Sequence, residues 1–404
     1  MKIANIVRRF SFEEWGGTET AVWNALLRMR ADGIDAELVA TQALCPVASE
    51  VREGVPIRRF PYFYPQLFLS KQNARVLDKK GGNPFSFDLY RYLMAGDFDL
   101  LHTHAMGRLA KLVRKAARAK GIPYVVSFHG GQYDVPASEF EEMAKPLKGS
   151  LGYGGVLERA LGLRCDIVAE ADGIICVGQN EYEEMCRRFP GKPAAYIPNG
   201  VDASKFERVP QADFRATYHI PAGRTLLLCV SRIDYQKNQI AMLRLAQTLR
   251  ARGEDVHCAI VGFVTSAAYG DALRAAAGQC GLDGRVSIVE GLPPDSDLLL
   301  AAYRQADVFV LPSVHEPFGI VVLEAWSAHV PVMASAVGGL KTLVKEGVNG
   351  VLFDAADVAS MVSAYDRLRA NADAVRRQGA LEVREVYSWD AVVKQILKFY
   401  KDLC

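Results

Sequence analysis

Short apolar runs rich in Val and Ile alternate with longer segments of helical period along the whole chain, and after residue 223 the alternation starts afresh. Strands separated in this way pair in parallel, and the segments between them cover both faces of the sheet as helices. In the first half the expected strands are residues 3–7, 36–41, 100–102, 124–128, 173–177 and 194–197, with helices near 18–31, 108–120 and 180–188. In the second half the strands are 226–230, 257–261, 286–289, 308–311, 331–334 and 351–353. Each half therefore reads as a doubly wound, Rossmann-like α/β domain, and 404 residues exceed what one core organises. The junction is residues 198–223, where Pro198, Gly200, Pro210, Pro221 and Gly223 stand among polar neighbours. A last apolar stripe, Val392, Val393, Ile396, Leu397 and Tyr400, forms a helix after the second sheet is complete. The predicted organisation is a first domain over 1–208, a second over 209–385, and a terminal helix over 386–404.

Charge and cysteine content narrow the function. A formal net charge of +2 gives no global reason to expect nucleic acid as a partner. The eight cysteines are scattered without a CxxC pair and read as reduced core residues. The start has too short an apolar run for a signal peptide, and no stretch of about 18 apolar residues occurs, so a cytoplasmic protein is expected.

In open α/β sheets ligands sit beyond the carboxyl ends of the strands, so those loops carry the functional reading. No GxGxxG follows the first strand, which weakens a dinucleotide reading. Gly16 and Gly17 there open a helix, and their bare backbone and the helix N-terminus suit a phosphate; a flexible turn with Thr18 as cap is the plain alternative. After 226–230 come Arg232 and Lys237, two cations that could clamp a diphosphate, or simply be solvated, with Asn238 a plausible helix cap. After 308–311 come Glu316-Pro317-Phe318-Gly319-Ile320 and, two turns into a helix, Glu324. These carboxylates could hold hydroxyls at the two ends of a long ligand while the amides of Phe318, Gly319 and Ile320 meet its oxygens. His102 and His104 end another strand as metal ligands or as cleft-lining or structural rings, and a cleft-lining or structural role is preferred because no third ligand stands at suitable spacing.

These motifs together resemble family 4 of the retaining glycosyltransferases: Glu316-x7-Glu324, Arg232-x4-Lys237, the Gly16-Gly17 loop, His129-Gly130 after a strand, and Pro198-Asn199-Gly200-Val201-Asp202 at the junction. The likeness extends to Val337-Gly338-Gly339, to Gly347-Val348-Asn349-Gly350 and to the terminal helix. It implies the GT-B fold, two Rossmann-like domains facing a central cleft. It implies, further, that Arg232 and Lys237 bind the diphosphate of a UDP-sugar or GDP-mannose, that Glu324 takes the ribose, and that Glu316 with the amides of Phe318, Gly319 and Ile320 holds the transferred sugar. Gly17 would approach the phosphates, Gly262 and its loop the base, His129 the reaction centre, and Asn199 would shape the cleft. The chain departs from the family at Leu340-Lys341-Thr342, where many members carry a glutamate three residues past the second glycine.

The reaction so implied needs no metal and no cofactor: protein cations and helix N-termini would stabilise the departing nucleotide diphosphate, and the acceptor would be a glycan, a lipid-linked glycan or a small molecule. A sugar-nucleotide epimerase of the same fold, or a non-catalytic relative, is the rival. Residues 51–80 and the helix 108–120 are rich in Lys and Arg, the former interleaved with aromatics, which predicts peripheral contact with an anionic membrane unless the aromatics are core and the charges solvated.

Overall fold

The computed structural model describes residues 1–13, 16–79, 81–129, 145–293 and 295–404. Gly130 and Gly131 of the His129 motif, Trp15 and Lys80 lie outside the described residues. The chain divides into two compact units, Met1–Pro198 with Val392–Cys404, and Asn199–Ala391.

The first unit is built on β1 (Lys2–Arg9), β2 (Asp35–Thr41), β3 (Ser49–Arg52), β4 (Val55–Phe60), β5 (Gln66–Leu67), β6 (Leu100–Thr103), β7 (Tyr124–Phe128), β8 (Leu151–Gly152), β9 (Gly173–Cys176) and β10 (Ala194–Tyr196). Its main sheet runs β10-β9-β7-β6-β1-β2-β4-β3, parallel except for the edge hairpin β3–β4, while β5 and β8 pair on their own. That hairpin lies where no strand was expected. Its tight turn uses positive φ at both Glu53 and Gly54, and Arg59 occupies an inward position in β4, only 2 % exposed. Its guanidinium donates there through Nε to the Phe10 carbonyl and through Nη1 to the Val47 carbonyl and to Glu50, while Nη2 is buried without a partner among the described residues. The terminal helix Trp389–Leu403 supplies the unit's last layer: the Tyr400 hydroxyl stands 2.5 Å from His102 Nδ1, and Leu403 and Phe399 fill the space where a Cβ on Gly173 would lie.

The second unit carries β11 (Thr225–Val230), β12 (Val256–Val261), β13 (Val286–Val289), β14 (Val308–Leu311), β15 (Val332–Ser335) and β16 (Val351–Phe353), in the order β13-β12-β11-β14-β15-β16, all parallel. Residues 199–208, which the sequence reading assigned to the first domain, pack with this unit. Val201 donates to the Tyr387 carbonyl, Phe206 joins the core, and a Cβ on Gly200 would strike the Trp389 ring at 2.6 Å. Cys176, Cys229 and Cys258 are buried as expected of core cysteines, whereas Cys186 and Cys404 are exposed. No helix among the described residues is long and apolar enough to cross a membrane.

Candidate active site

Among the parallel strands of each sheet the order reverses between β1 and β6 in the first and between β11 and β14 in the second. Loops leaving the carboxyl ends of such a pair diverge to opposite faces and leave a crevice, the usual ligand position in a doubly wound sheet.

In the second unit that crevice brings Lys237 and Glu316 together. Lys237, from the loop after β11, places Nζ 2.5 Å from Oε2 of Glu316, in the loop after β14; both side chains are about nine-tenths buried, at 12 % and 10 % exposure. Ser313 Oγ lies 3.4 Å from the same carboxylate oxygen. The two loops are stapled by Gln236, whose carbonyl accepts from Val314 N–H and whose amide donates to the His315 carbonyl. Arg232 is exposed and lies over its own loop, 3.0 Å from Gln236 Oε1 and 3.4 Å from Asp234. Asn238 opens the helix Gln239–Ala251 through a left-handed backbone and not through its side chain, contrary to the cap expected of it. Gln239 does the tying instead, donating to Ser231 Oγ and to the Arg232 carbonyl.

Three glycines allow this convergence. A Cβ on Gly262 would sit 1.8 Å from the Ser231 carbonyl oxygen, so only glycine lets the loop after β12 pass the loop after β11. Cβ atoms on Gly338 and Gly339 would sit 2.3 Å from the Glu316 carbonyl oxygen and 2.1 Å from that of Pro317, and Gly339 N–H donates to the former. The Val337-Gly338-Gly339 turn therefore fixes the backbone that carries Glu316. In the departing segment Leu340 is buried against Gly319, and Thr342 is exposed.

Gly319 takes a left-handed conformation as the N-cap of the helix Ile320–Ser327, so the amides of Phe318, Gly319 and Ile320 stand at a helix start, where no intrahelical acceptor is available. Along that helix Glu324 accepts from the Tyr303 hydroxyl at 2.6 Å, and burial raises its pKa above the ordinary carboxylate value despite that bond. Tyr303, Gln236 and Gln239 were absent from the sequence-derived site. Tyr303 falls on the apolar stripe of its helix, and its one polar atom is spent on a residue 21 positions away.

In the first unit the switch point between β1 and β6 opens into a cavity of about 440 Å³ lined by Arg8, Arg9, Thr18, Asn83, His104 and Gly107 among others. Gly16 caps the helix Gly17–Ala31, displacing Thr18 from the expected role, and its N–H is held by Glu19, which also pairs with Arg9. A Cβ on Gly17 would meet nothing within 4 Å, so packing does not require this glycine. His102 is wholly committed inside the protein, to Tyr400 and to Ser127 Oγ at 2.7 Å, which decides for its structural reading. His104 does double service, lining the cavity and bonding His129 at 2.8 Å. Burial lowers the His129 pKa to about 4 and that of His104 well below 6.5. Asn199 is buried at the opening of the second unit.

The basic helix Arg108–Lys120 is not a free cationic surface. Arg108 and Lys111 pair with Glu158, Arg114 with Glu170 and Arg118 with Asp172, while Lys115 and Lys120 donate to carbonyls. Most aromatics of residues 60–64 are likewise engaged, Phe60 against Tyr92, Phe63 against Phe85, and Tyr62 and Tyr64 on Asp78.

Known proteins agree with this architecture. Residues 15–205 match the family described as Glycosyltransferase Family 4, and residues 210–381 that described as Glycosyl transferases group 1. A D-inositol 3-phosphate glycosyltransferase of Thermomonospora curvata is 30 % identical over 95 % of this chain and 90 % of its own, and that of Saccharomonospora viridis 28 % over 96 % and 89 %. Sucrose-phosphate synthase from Thermosynechococcus elongatus superposes with a TM-score of 0.69 at 22 % identity, over 100 % of this chain and 98 % of the other. Anabaena HepE, crystallised with UDP and glucose, gives 0.68 at 18 % over 99 % of each. The chain belongs to glycosyltransferase family 4: it has the GT-B fold and is a retaining glycosyltransferase that draws its sugar from a nucleotide-sugar donor.

Proposed function

We propose that Arg232 and Lys237 hold the donor diphosphate, that Glu316 and the amides of Phe318, Gly319 and Ile320 hold the sugar, and that Glu324 holds the ribose. The observation that carries this reading is the Lys237–Glu316 pair at the β11–β14 switch point. An ammonium and a carboxylate that meet between two stapled loops offer adjacent sites for an anionic group and for hydroxyls. Gly17 gives the phosphates close approach, the Gly262 loop borders the base, His129 faces the sugar, and Asn199 shapes the entrance to the second unit. As the glycosidic bond breaks, charge grows on the diphosphate, and the two cations and the helix N-terminus stabilise it without a metal. The acceptor hydroxyl attacks from the face the diphosphate leaves, and the diphosphate takes its proton.

The acceptor enters the cavity at the β1–β6 switch point. With Arg8 and Arg9 on its wall, an anionic acceptor is favoured, either a phosphorylated polyol, such as the relatives are named for, or a lipid-linked glycan phosphate. For the latter the chain works in the cytoplasm against an anionic membrane. The surface that supports this is small: Leu67, Leu151 and an 85 % exposed Phe68, held outward by a positive φ, stand beside exposed Lys71, Arg75, Lys145 and Lys148.

The reading is tested by incubating UDP-glucose and GDP-mannose with inositol phosphate or lipid-linked acceptors in excess chelator. Product of unchanged anomeric configuration is expected. Isomerised donor formed without acceptor would mark an epimerase, and activity abolished by chelator and restored by magnesium would refute the metal-free mechanism. Flotation with anionic against neutral vesicles, repeated at high salt, tests the membrane contact; equal flotation on both excludes it.

A further inference from the structure

Three polar side chains form a line in the first unit, one from the middle of β1 and one from just past the end of each of β6 and β7. Asn5 Oδ1, in β1, lies 3.2 Å from His104 Nε2, and His104 Nδ1 lies 2.8 Å from His129 Nε2. Among the described residues the remaining nitrogen of His129, Nδ1, is buried without a partner. We propose that Asn5 and His104 are positioning residues that fix the tautomer of His129, so that His129 presents a bare Nδ1 lone pair to a hydroxyl of the bound substrate.

The argument follows from which atoms can donate. With the Asn5 oxygen toward the ring, and its Nδ2 left buried without a partner among the described residues, the amide can only accept, which puts the proton of His104 at Nε2. A neutral imidazole carries one proton, so His104 Nδ1 is an acceptor, and the proton between the two rings is on His129 Nε2. His129 then has none left for Nδ1. Burial keeps both rings uncharged, which is what makes the logic binding: a protonated ring would donate from both nitrogens. A buried acceptor with no donor costs free energy until something supplies one, and the hydroxyls of a sugar or polyol are such donors. A fluorine or a carbonyl oxygen in the same place would face lone pair with lone pair, so the relay also selects against those substituents. Asn5 is the residue on which the polarity depends, because turning its amide over would reverse every donor and acceptor along the line.

Only the identity of the substrate-side partner rests on the proposed transfer; the tautomer can be measured with no ligand. In protein labelled with ¹⁵N-histidine, two-bond proton–nitrogen spectra at neutral pH, assigned through a His129→Gln variant, should show His129 protonated at Nε2 alone. Asn5→Asp, whose carboxylate can only accept, should preserve that tautomer. His104→Phe should give His129 as a mixture. A wild-type His129 protonated at Nδ1 would overturn the proposal, as would a single Nε2–H form that persists in a folded His104→Phe protein. If the Phe variant does not fold, the wild-type and Asn5→Asp spectra still decide. Adding whichever of UDP-glucose and GDP-mannose is turned over should move the Nδ1 resonance, and UDP or GDP alone should not. A donor that is turned over yet leaves Nδ1 unmoved removes the hydroxyl from the proposal while leaving the transferase reading intact.

Discussion

Lys237 and Glu316 form an ion pair at 2.5 Å, although one is assigned to the phosphate and the other to the sugar. Their partnership keeps two charges of opposite duty in place inside a largely buried crevice, and it makes the loss of either more than a loss of contact with substrate.

Replacing Lys237 by Ala should lower transfer by on the order of a hundredfold or more and, because Glu316 is left buried without its ammonium, should also cost about 1–3 kcal/mol of stability. Arg232→Ala should show a comparable loss of transfer with an unchanged denaturation midpoint, since its side chain is 54 % exposed. Turnover and urea melts on both variants check the contrast. Near wild-type turnover in both would remove the diphosphate assignment.

The two glycine loops should respond oppositely to one added methyl group. Gly262→Ala would drive a Cβ to within 1.8 Å of the Ser231 carbonyl oxygen and should destabilise the second unit, by roughly 1–3 kcal/mol or more as in other overpacked sites. Gly17→Ala meets nothing within 4 Å, so the fold should be untouched while the donor KM rises by about tenfold, equivalent to about 1.4 kcal/mol of lost phosphate approach. Thermal melts and donor titrations separate the two; a large stability loss in Gly17→Ala would show that the loop is structural.

Tyr303→Phe removes only the hydroxyl that donates to Glu324. The half-buried carboxylate then loses the Tyr303 donor, so its pKa should rise further and the variant should lose about 1–3 kcal/mol. If Glu324 binds ribose, the donor KM rises while kcat holds. An unchanged KM in the folded variant would argue that Glu324 is a structural acid.

Two buried histidines, His102 and His257, and two half-buried ones, His104 and His129, set a pH window. Burial lowers His102 to about 3 and His129 and His257 to about 4, and holds His104 well below 6.5, the ordinary value at which each titrates once unfolded. Between those values the unfolded chain binds more protons than the folded one, so stability is complete above about pH 6.5 and is lost as the pH falls toward 4. The urea midpoint should fall across that interval and fall less steeply in His257→Gln; a flat midpoint from pH 7 to pH 4.5 would contradict the uncharged rings.

Much of this was legible in the sequence because it was local. Strand runs, the glycine loops and the Glu316–Glu324 spacing are written over a few residues, and the structure brings Lys237 and Glu316 into one crevice. What escaped was non-local. Arg59 continues the inward alternation of Val55 and Ile57 with a charged side chain, and its partners Phe10, Val47 and Glu50 come from other segments. The cations of residues 108–120 looked free because their carboxylates, Glu158, Glu170 and Asp172, lie about fifty residues onward. Tyr303 looked like core because only the fold shows where its oxygen ends.

The docking of Tyr400, Phe399 and Leu403 onto the first unit bears on how the protein is made. That unit lacks its last layer until residues 392–404 have left the ribosome, and roughly 190 residues of the second unit must be synthesised in between. At a translation rate of about 5–20 residues per second the open face waits on the order of 10–40 s, with His102 lacking the phenol and Gly173 the side chains that later cover it. During that interval the nascent first unit is a client for chaperones, and a ribosome that stalls before codon 392 releases a chain whose first unit cannot finish.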